Sequence, residues 1–254
     1  MKISMVHLIR TELHKTLKMQ IVRIIFVFSL AFSLLSFLGD ARTSAFSIPL
    51  SSISNLTQTL IIVAFISFTA YIYGVELQAN TLKIIRSKDI SCWKVIGAKY
   101  LTAFIVVLIF IMSIWLIDII LAVTVFPMAD FTVKYDSNII LARDGMLFVL
   151  LAFLFEAMPL FLVSCISLTI TIFSNSTVLG VISTIFIFLM SKILESVHAL
   201  KFLLPSYHLL IWKDIIRAQP DWYQVAAKLV VILIYCVILY LLSLHRYNTM
   251  EVKH

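Results

Sequence analysis

The chain has 254 residues, 62% hydrophobic and 13% charged, with a mean hydropathy of +1.07; that composition excludes a soluble globular enzyme and describes an integral membrane protein. No stretch outside the apolar runs is long enough to build its own core, so a single membrane domain, residues 1–254, accounts for the chain. The net charge of +7 does not point to nucleic acid, because the cations lie at the ends of apolar runs and not on a basic module with interleaved aromatics; they read as topology and contact with anionic lipid.

In residues 1–20, Val6, Ile9, Leu13 and Leu17 recur at helical spacing, with Thr11, Lys15 and Lys18 towards the other face. Arg10 interrupts the apolar stripe. The pattern predicts an interfacial helix along the inner leaflet. Apolar runs of about 20 residues, enough to cross roughly 30 Å of hydrocarbon, predict six spans at approximately 21–38, 57–75, 100–126, 146–173, 177–197 and 223–243. The first is a retained anchor and not a cleavable signal: Glu12 precedes it and no small-residue cleavage site follows. Ser174, Asn175 and Ser176 form a tight turn between the fourth and fifth spans. The fold class is therefore all-α.

Residues 76–99 are a basic interruption between spans, carrying Lys83, Arg86, Lys88, Lys94 and Lys99. With the amino terminus inside, twelve cations fall in inner segments and six in outer ones, which places both termini in the cytoplasm. Lys192 and Lys228 sit near span ends, where long side chains snorkel to the interface. Within the loop, Leu82 and Ile85 share a helical face, while Lys83, Arg86 and Lys88 suit an acidic partner surface or lipid phosphates. Ser91 is the expected N-cap of the helix that carries Trp93 into the third span.

Two acids lie inside spans, Asp118 and Glu156. An acid at a helix centre costs about 2.5–3.5 kcal/mol on insertion scales, so such residues face protein, water or a partner. Glu156 is the deeper candidate, with Asp118 nearer the outer interface. Glu156 either lines a translocation pathway or contacts a cationic substrate, or else is protonated or bonded to a neighbouring hydroxyl. Pro159 is placed to bend that helix. Lys192 and Glu195, three apart, suggest a local ion pair. Residues 198–222 are too short and polar to cross twice and form an extracellular segment. Its Tyr207 and Trp212 read either as an outer gate or, with Trp222 and Tyr223, as a headgroup belt.

Chemistry-bearing motifs are lacking. Cys92, Cys165 and Cys236 have no ligand spacing, the histidines are scattered without HExxH, no metal site is expected, and no GxSxG elbow supplies a nucleophile. There is no GxxxxGK[ST] either, so the chain is expected to bind no nucleotide and to carry no catalytic residue.

Glu76, then Asn80-Thr81-Leu82-Lys83, Ile90-Ser91-Cys92-Trp93-Lys94 and Lys99-Tyr100-Leu101 at the next span resemble the permease subunits of ABC-2 type transporters. The family pattern is a Glu, a Gly-Thr-Leu, a basic stretch, a Pro-hydrophobe-Ser and a Lys; here Asn80 replaces the Gly and Asp89 the Pro. The resemblance extends to the amino-terminal helix, the six spans and the short fourth-to-fifth turn. It implies an ATPase-coupling segment formed by Glu76, Asn80, Thr81, Leu82, Lys83, Ile85, Arg86 and Lys88, and short re-entrant or interfacial helices before the last span. It further implies a dimer of ATP-binding subunits that holds ATP and Mg, a second permease copy or paralogue, a bacterial cell membrane and an exported substrate. The small size, without an added extracellular domain, resembles permeases for amphipathic peptides such as bacteriocins. Readings from other classes are an ion-coupled secondary transporter using Asp118 or Glu156, and a noncatalytic peptide-binding immunity or receptor protein.

Overall fold

The computed structural model describes residues 4–27, 31, 44–56, 59–78, 91–133, 136–197, 199–217 and 219–249. Most of the predicted first span lies outside them, as do Asn80, Thr81, Leu82, Lys83, Ile85, Arg86 and Lys88. In chain order the elements are α1 (Met5–Lys18), a further helical stretch at 20–27, α2 (Ser47–Leu56), α3 (Thr59–Gln78) and α4 (Cys92–Val125). A hairpin of β1 (Phe131–Val133) and β2 (Asp136–Ile140) leads to α5 (Ala142–Ser174) and α6 (Thr177–Leu194). A 3₁₀ turn at Lys201–Leu203 and the short α7 (Pro205–His208) and α8 (Trp212–Ile215) precede α9 (Trp222–Thr249).

Among the described residues, α4, α5, α6 and α9 are long and apolar enough to cross a membrane, and α3 contributes a shorter apolar stretch, Ile62–Leu77. Several helices outrun the predicted spans. The 33 residues of α5 rise about 50 Å against roughly 30 Å of hydrocarbon. A hydropathy window sees only the apolar middle of such a rod, whereas backbone hydrogen bonding continues through its polar ends.

Local chemistry fixes the ends. α4 stops at Val125 because Pro127 forces the residue before it out of helical geometry, and Phe126 is extended at φ −120°, ψ 148°. Ser91 occupies the N-cap position of α4 but its side chain makes no capping bond; its carbonyl instead accepts from the Lys94 and Val95 amides. The predicted turn between the fourth and fifth spans is present. Asn175 takes the left-handed conformation (φ 51°) that ends α5, and Ser176 Oγ accepts from the Leu179 amide to start α6.

α5 is the central rod and packs against α3, α4, α6 and α9. Its Val149, Ala152, Phe153, Ala157 and Leu160 are buried together with Ile62, Phe65 and Ile66 of α3 and Val107, Phe110 and Ile111 of α4. Lipid is as apolar as these side chains, so close contact and interhelical hydrogen bonds hold such helices together. Both occur: Phe110 meets Phe65 edge-on at 4.7 Å, and Ser167 Oγ donates to the Ile66 carbonyl at 2.7 Å. Outward faces remain apolar, as at Leu233, Ile234, Val237 and Leu241 of α9.

At the far end of the bundle α2 and the hairpin form a cap that the all-α expectation lacks. Phe46 packs on Phe131 at 5.2 Å, Ser44 Oγ donates to the Ala129 carbonyl, and the Ala142 amide that opens α5 donates to Asp130 Oδ1. Residues 131–140 carry too short an alternation to announce strands. The expected Lys192–Glu195 pair is not formed; the Lys192 ammonium lies over the Phe188 ring one turn back, at 5.4 Å.

Candidate functional site

The ends of α1, α3 and α4 meet around four charged side chains. Glu76 is two residues from the end of α3, Lys99 is two turns into α4, and Glu12 and Lys15 lie on α1. Lys15 Nζ and Lys99 Nζ both donate to Glu76 Oε1 at 2.8 Å; Lys99 also reaches Glu12 Oε2 at 3.3 Å, and Lys15 lies 4.0 Å from Glu12 Oε1. Two acids and two ammoniums thus alternate around a closed ring. Lys99 is fully buried and the Glu76 side chain is 3% exposed, so each charge depends on its neighbours for the solvation that water would otherwise supply.

This ring changes the reading of α1. The predicted stripe is only partly inward, since Val6 and Leu17 point out, 72% and 43% exposed. Thr16 is buried, and Met5 lies across Gly97 of α4 where a Cβ would collide with it. The docking face combines Glu12, Lys15 and Thr16 with Met5 and Leu13, which packs against the main core, while Val6 and Leu17 point away from the bundle. Lys99, read from the sequence as one of five loop cations, belongs to the bundle interior. The signal for Glu12 and Lys15 was a charged pair three apart on an otherwise interfacial helix; nothing local names their partners 61 and 87 residues away.

Deeper at the same end, the Tyr100 hydroxyl joins α4, α5 and α9. It shares hydrogen bonds with Thr169 Oγ1 and Ser243 Oγ, each at 2.8 Å, and donates to the Leu239 carbonyl at 3.2 Å.

A second charged group sits towards the other end, where the 199–217 segment folds onto α5 and α9. Trp212 is buried in the main core rather than standing in a headgroup belt, whereas Tyr223 is 80% exposed and suits one. Lys228, expected to snorkel, is buried instead: its ammonium donates to Asp214 Oδ2 and lies 4.5 Å from the centre of the Tyr207 ring. Arg217 contacts Asp214 Oδ1 at 3.3 Å. Glu156 is fully buried and is faced by the backbone of Trp212 and by the Lys228 charge. Asp118 is as fully buried as Glu156, near the end of α4. Pro159 lies within α5 without interrupting it.

His208 completes this region. Its Nε2 lies 3.1 Å from the Phe202 carbonyl, and burial, reinforced by the Lys228 charge, pushes the imidazole down to about 4. The unfolded chain, near 6.5, takes up the proton first on acidification. The His208 contribution to stability is therefore full above 6.5 and lost as pH falls towards 4, by up to about 3 kcal/mol. Thermal unfolding across that window is expected to show a smaller acid loss in His208→Gln than in the unaltered protein; equal losses would show that His208 does not titrate this way.

Among the described residues no group of three His, Cys, Asp or Glu side chains gathers to hold a metal ion. No curated protein matches the sequence. A family described as ABC-2 family transporter protein matches residues 8–191, a stretch that runs from α1, through both shoulders of the basic loop, to the last turn of α6. With apolar rods of membrane-crossing length and an amino-terminal helix locked to them by charge, the chain belongs to the ABC-2 family of transporter membrane proteins.

Proposed function

We propose that the chain is the permease subunit of an ATP-driven exporter, paired with a second permease and with two separate ATPase subunits that hold ATP and Mg. The observation that carries this reading is the Glu12–Lys15–Glu76–Lys99 ring. Glu76 and Lys99 are the two shoulders of the basic loop, and the ring ties both to α1. A partner docked on the segment between Glu76 and Lys99 would therefore act on α1, α3 and α4 together. ATP binding would close the ATPase pair, and the loop would bias the spans between inward and outward access.

The proposed arrangement has six spans, taken from the apolar runs, and both termini in the cytoplasm, the orientation the cation distribution favours; a bacterial cell membrane is what the family resemblance implies. On that topology the ring faces the cytoplasm and the Tyr207–Trp212 region the outside, where α7 and α8 act as re-entrant or interfacial elements and Tyr207 and Trp212 as the outer gate. Asp118 and Glu156 then belong to the pathway. Amphipathic peptides are the cargo this reading assigns, the class that the resemblance to peptide-exporting permeases implies.

The decisive measurement is co-purification from the native membrane. An ATP-binding protein is expected to accompany the unaltered chain and to be lost with Leu82→Asp, which places a charge where the spacing of Leu82 and Ile85 predicts an apolar face. Transport that continues without any ATPase and follows a proton gradient would overturn the proposal in favour of ion coupling.

A further inference from the structure

The Lys228 ammonium occupies a site with the chemistry that recognises amines. It is buried, bonded to the Asp214 carboxylate, and set 4.5 Å from the centre of the Tyr207 ring. A carboxylate combined with an aromatic face is a general means of holding a desolvated ammonium. The same ring carries a second ammonium, Lys201, at 5.0 Å, on a turn nearer the surface. Asp214 does not depend on Lys228 alone, because Arg217 reaches its other oxygen at 3.3 Å.

Glu156 is the second buried carboxylate of this region. It is fully buried and is faced by the backbone of Trp212, two residues from Asp214, and by the Lys228 charge. Lys228 thus has two carboxylates within its influence and bonds to one of them. Moving the ammonium from Asp214 to Glu156 would leave Asp214 with Arg217 and give Glu156 a charged partner.

We infer that Asp214 and Tyr207 form a binding site for a primary ammonium group of a cationic amphipathic ligand, that Lys228 is its tethered occupant, and that Glu156 receives Lys228 when the ligand enters. The ligand exchanges one ammonium for another at Asp214, so entry leaves no carboxylate bare. This deepens the export reading on its substrate side alone. It rests on that reading for the identity of the cargo and requires no ATPase.

The test is binding of a synthetic amphipathic peptide of Leu and Lys, with a Leu and Gln peptide as control, to the full chain in nanodiscs of neutral lipid. The unaltered protein is expected to prefer the Lys peptide. Lys228→Met, which empties the site, is expected to tighten binding, and Asp214→Asn to abolish the preference. Glu156→Gln removes the place where Lys228 is received and is expected to weaken binding on the order of tenfold or more.

The double variant Lys228→Met/Glu156→Gln separates this from a structural role. With no lysine to receive, Glu156 becomes irrelevant, and the double variant is expected to bind like Lys228→Met alone, a strong non-additivity. Equal binding of the two peptides by the unaltered protein overturns the inference, as does an additive loss in the double variant. Should Glu156→Gln fail to fold, Lys228→Met decides alone: unchanged or weaker binding of the Lys peptide overturns the proposal. None of these outcomes bears on co-purification with an ATPase, so the two proposals fail separately.

Discussion

Lys99→Met is expected to destabilise the protein by about 3–5 kcal/mol, the cost of leaving a buried charge without its partner. Lys99 is fully buried and is shared by Glu76 and Glu12. Its removal leaves two acids facing a single ammonium, Lys15, whose side chain is a third exposed. Thermal unfolding in detergent, followed by loss of the monodisperse peak, reads the effect. Adding Glu76→Gln to Lys99→Met is expected to recover much of the loss, because the remaining Glu12–Lys15 pair is balanced and no buried carboxylate is left uncompensated. A double variant no more stable than Lys99→Met would mean that packing of the lysine stem, and not charge balance, holds α1 on α4. If the ring also transmits the ATPase stroke, the double variant will fold and yet show reduced coupling of ATP hydrolysis to transport.

Gly180→Leu has the second largest expected effect. A Cβ at Gly180 would overlap Thr171 Oγ1, and it would lie 3.1 Å from the Thr171 backbone, which has no rotamer with which to retreat. Thr171 is itself fixed, since its hydroxyl donates to the Ser167 carbonyl at 2.8 Å, and Ser167 donates onward to Ile66 of α3. Overpacking a closed interface costs typically 1–3 kcal/mol, and this contact lies at or above the upper end of that range. α6 is expected to separate from α5, to be read as a lowered unfolding temperature and new protease sensitivity near residues 174–176. Gly180→Ala combined with Thr171→Ala, which deletes the oxygen met first, is expected to unfold at a higher temperature than Gly180→Ala alone. A neutral Gly180→Leu would mean that the α5–α6 contact is looser than the geometry requires.

The sequence carried what depends on neighbours along the chain. Apolar runs reported rods of membrane-crossing length, Ser174-Asn175-Ser176 reported the turn, and the clustering of cations pointed to a basic loop between two helices. Each signal rests on residues a few positions apart, so a single chain displays it. The family resemblance came from the same loop, read through Glu76 and Lys99 as its shoulders.

The lengths of the rods were less legible. α4 begins at Cys92 and α9 continues to Thr249, because a polar residue at a rod's end disrupts hydropathy but not the backbone ladder. The snorkelling expected of Lys228 and the headgroup belt expected of Trp212 fail for a related reason. A lysine or tryptophan near a predicted interface is ordinarily wet, and only the fold of 199–217 onto α5 and α9 buries both.

By itself, then, the sequence determined the membrane class, the helical rods and the position of the basic loop, since hydrophobic length and charge asymmetry act locally against a bilayer of fixed thickness. Only the tertiary structure decided which charges pair. A buried ion survives where helices distant in sequence bring it a counter-ion, as α1 brings Glu12 to Lys99 and α8 brings Asp214 to Lys228. Those pairings depend on how the rods rotate and pack, and no spacing along the chain encodes them.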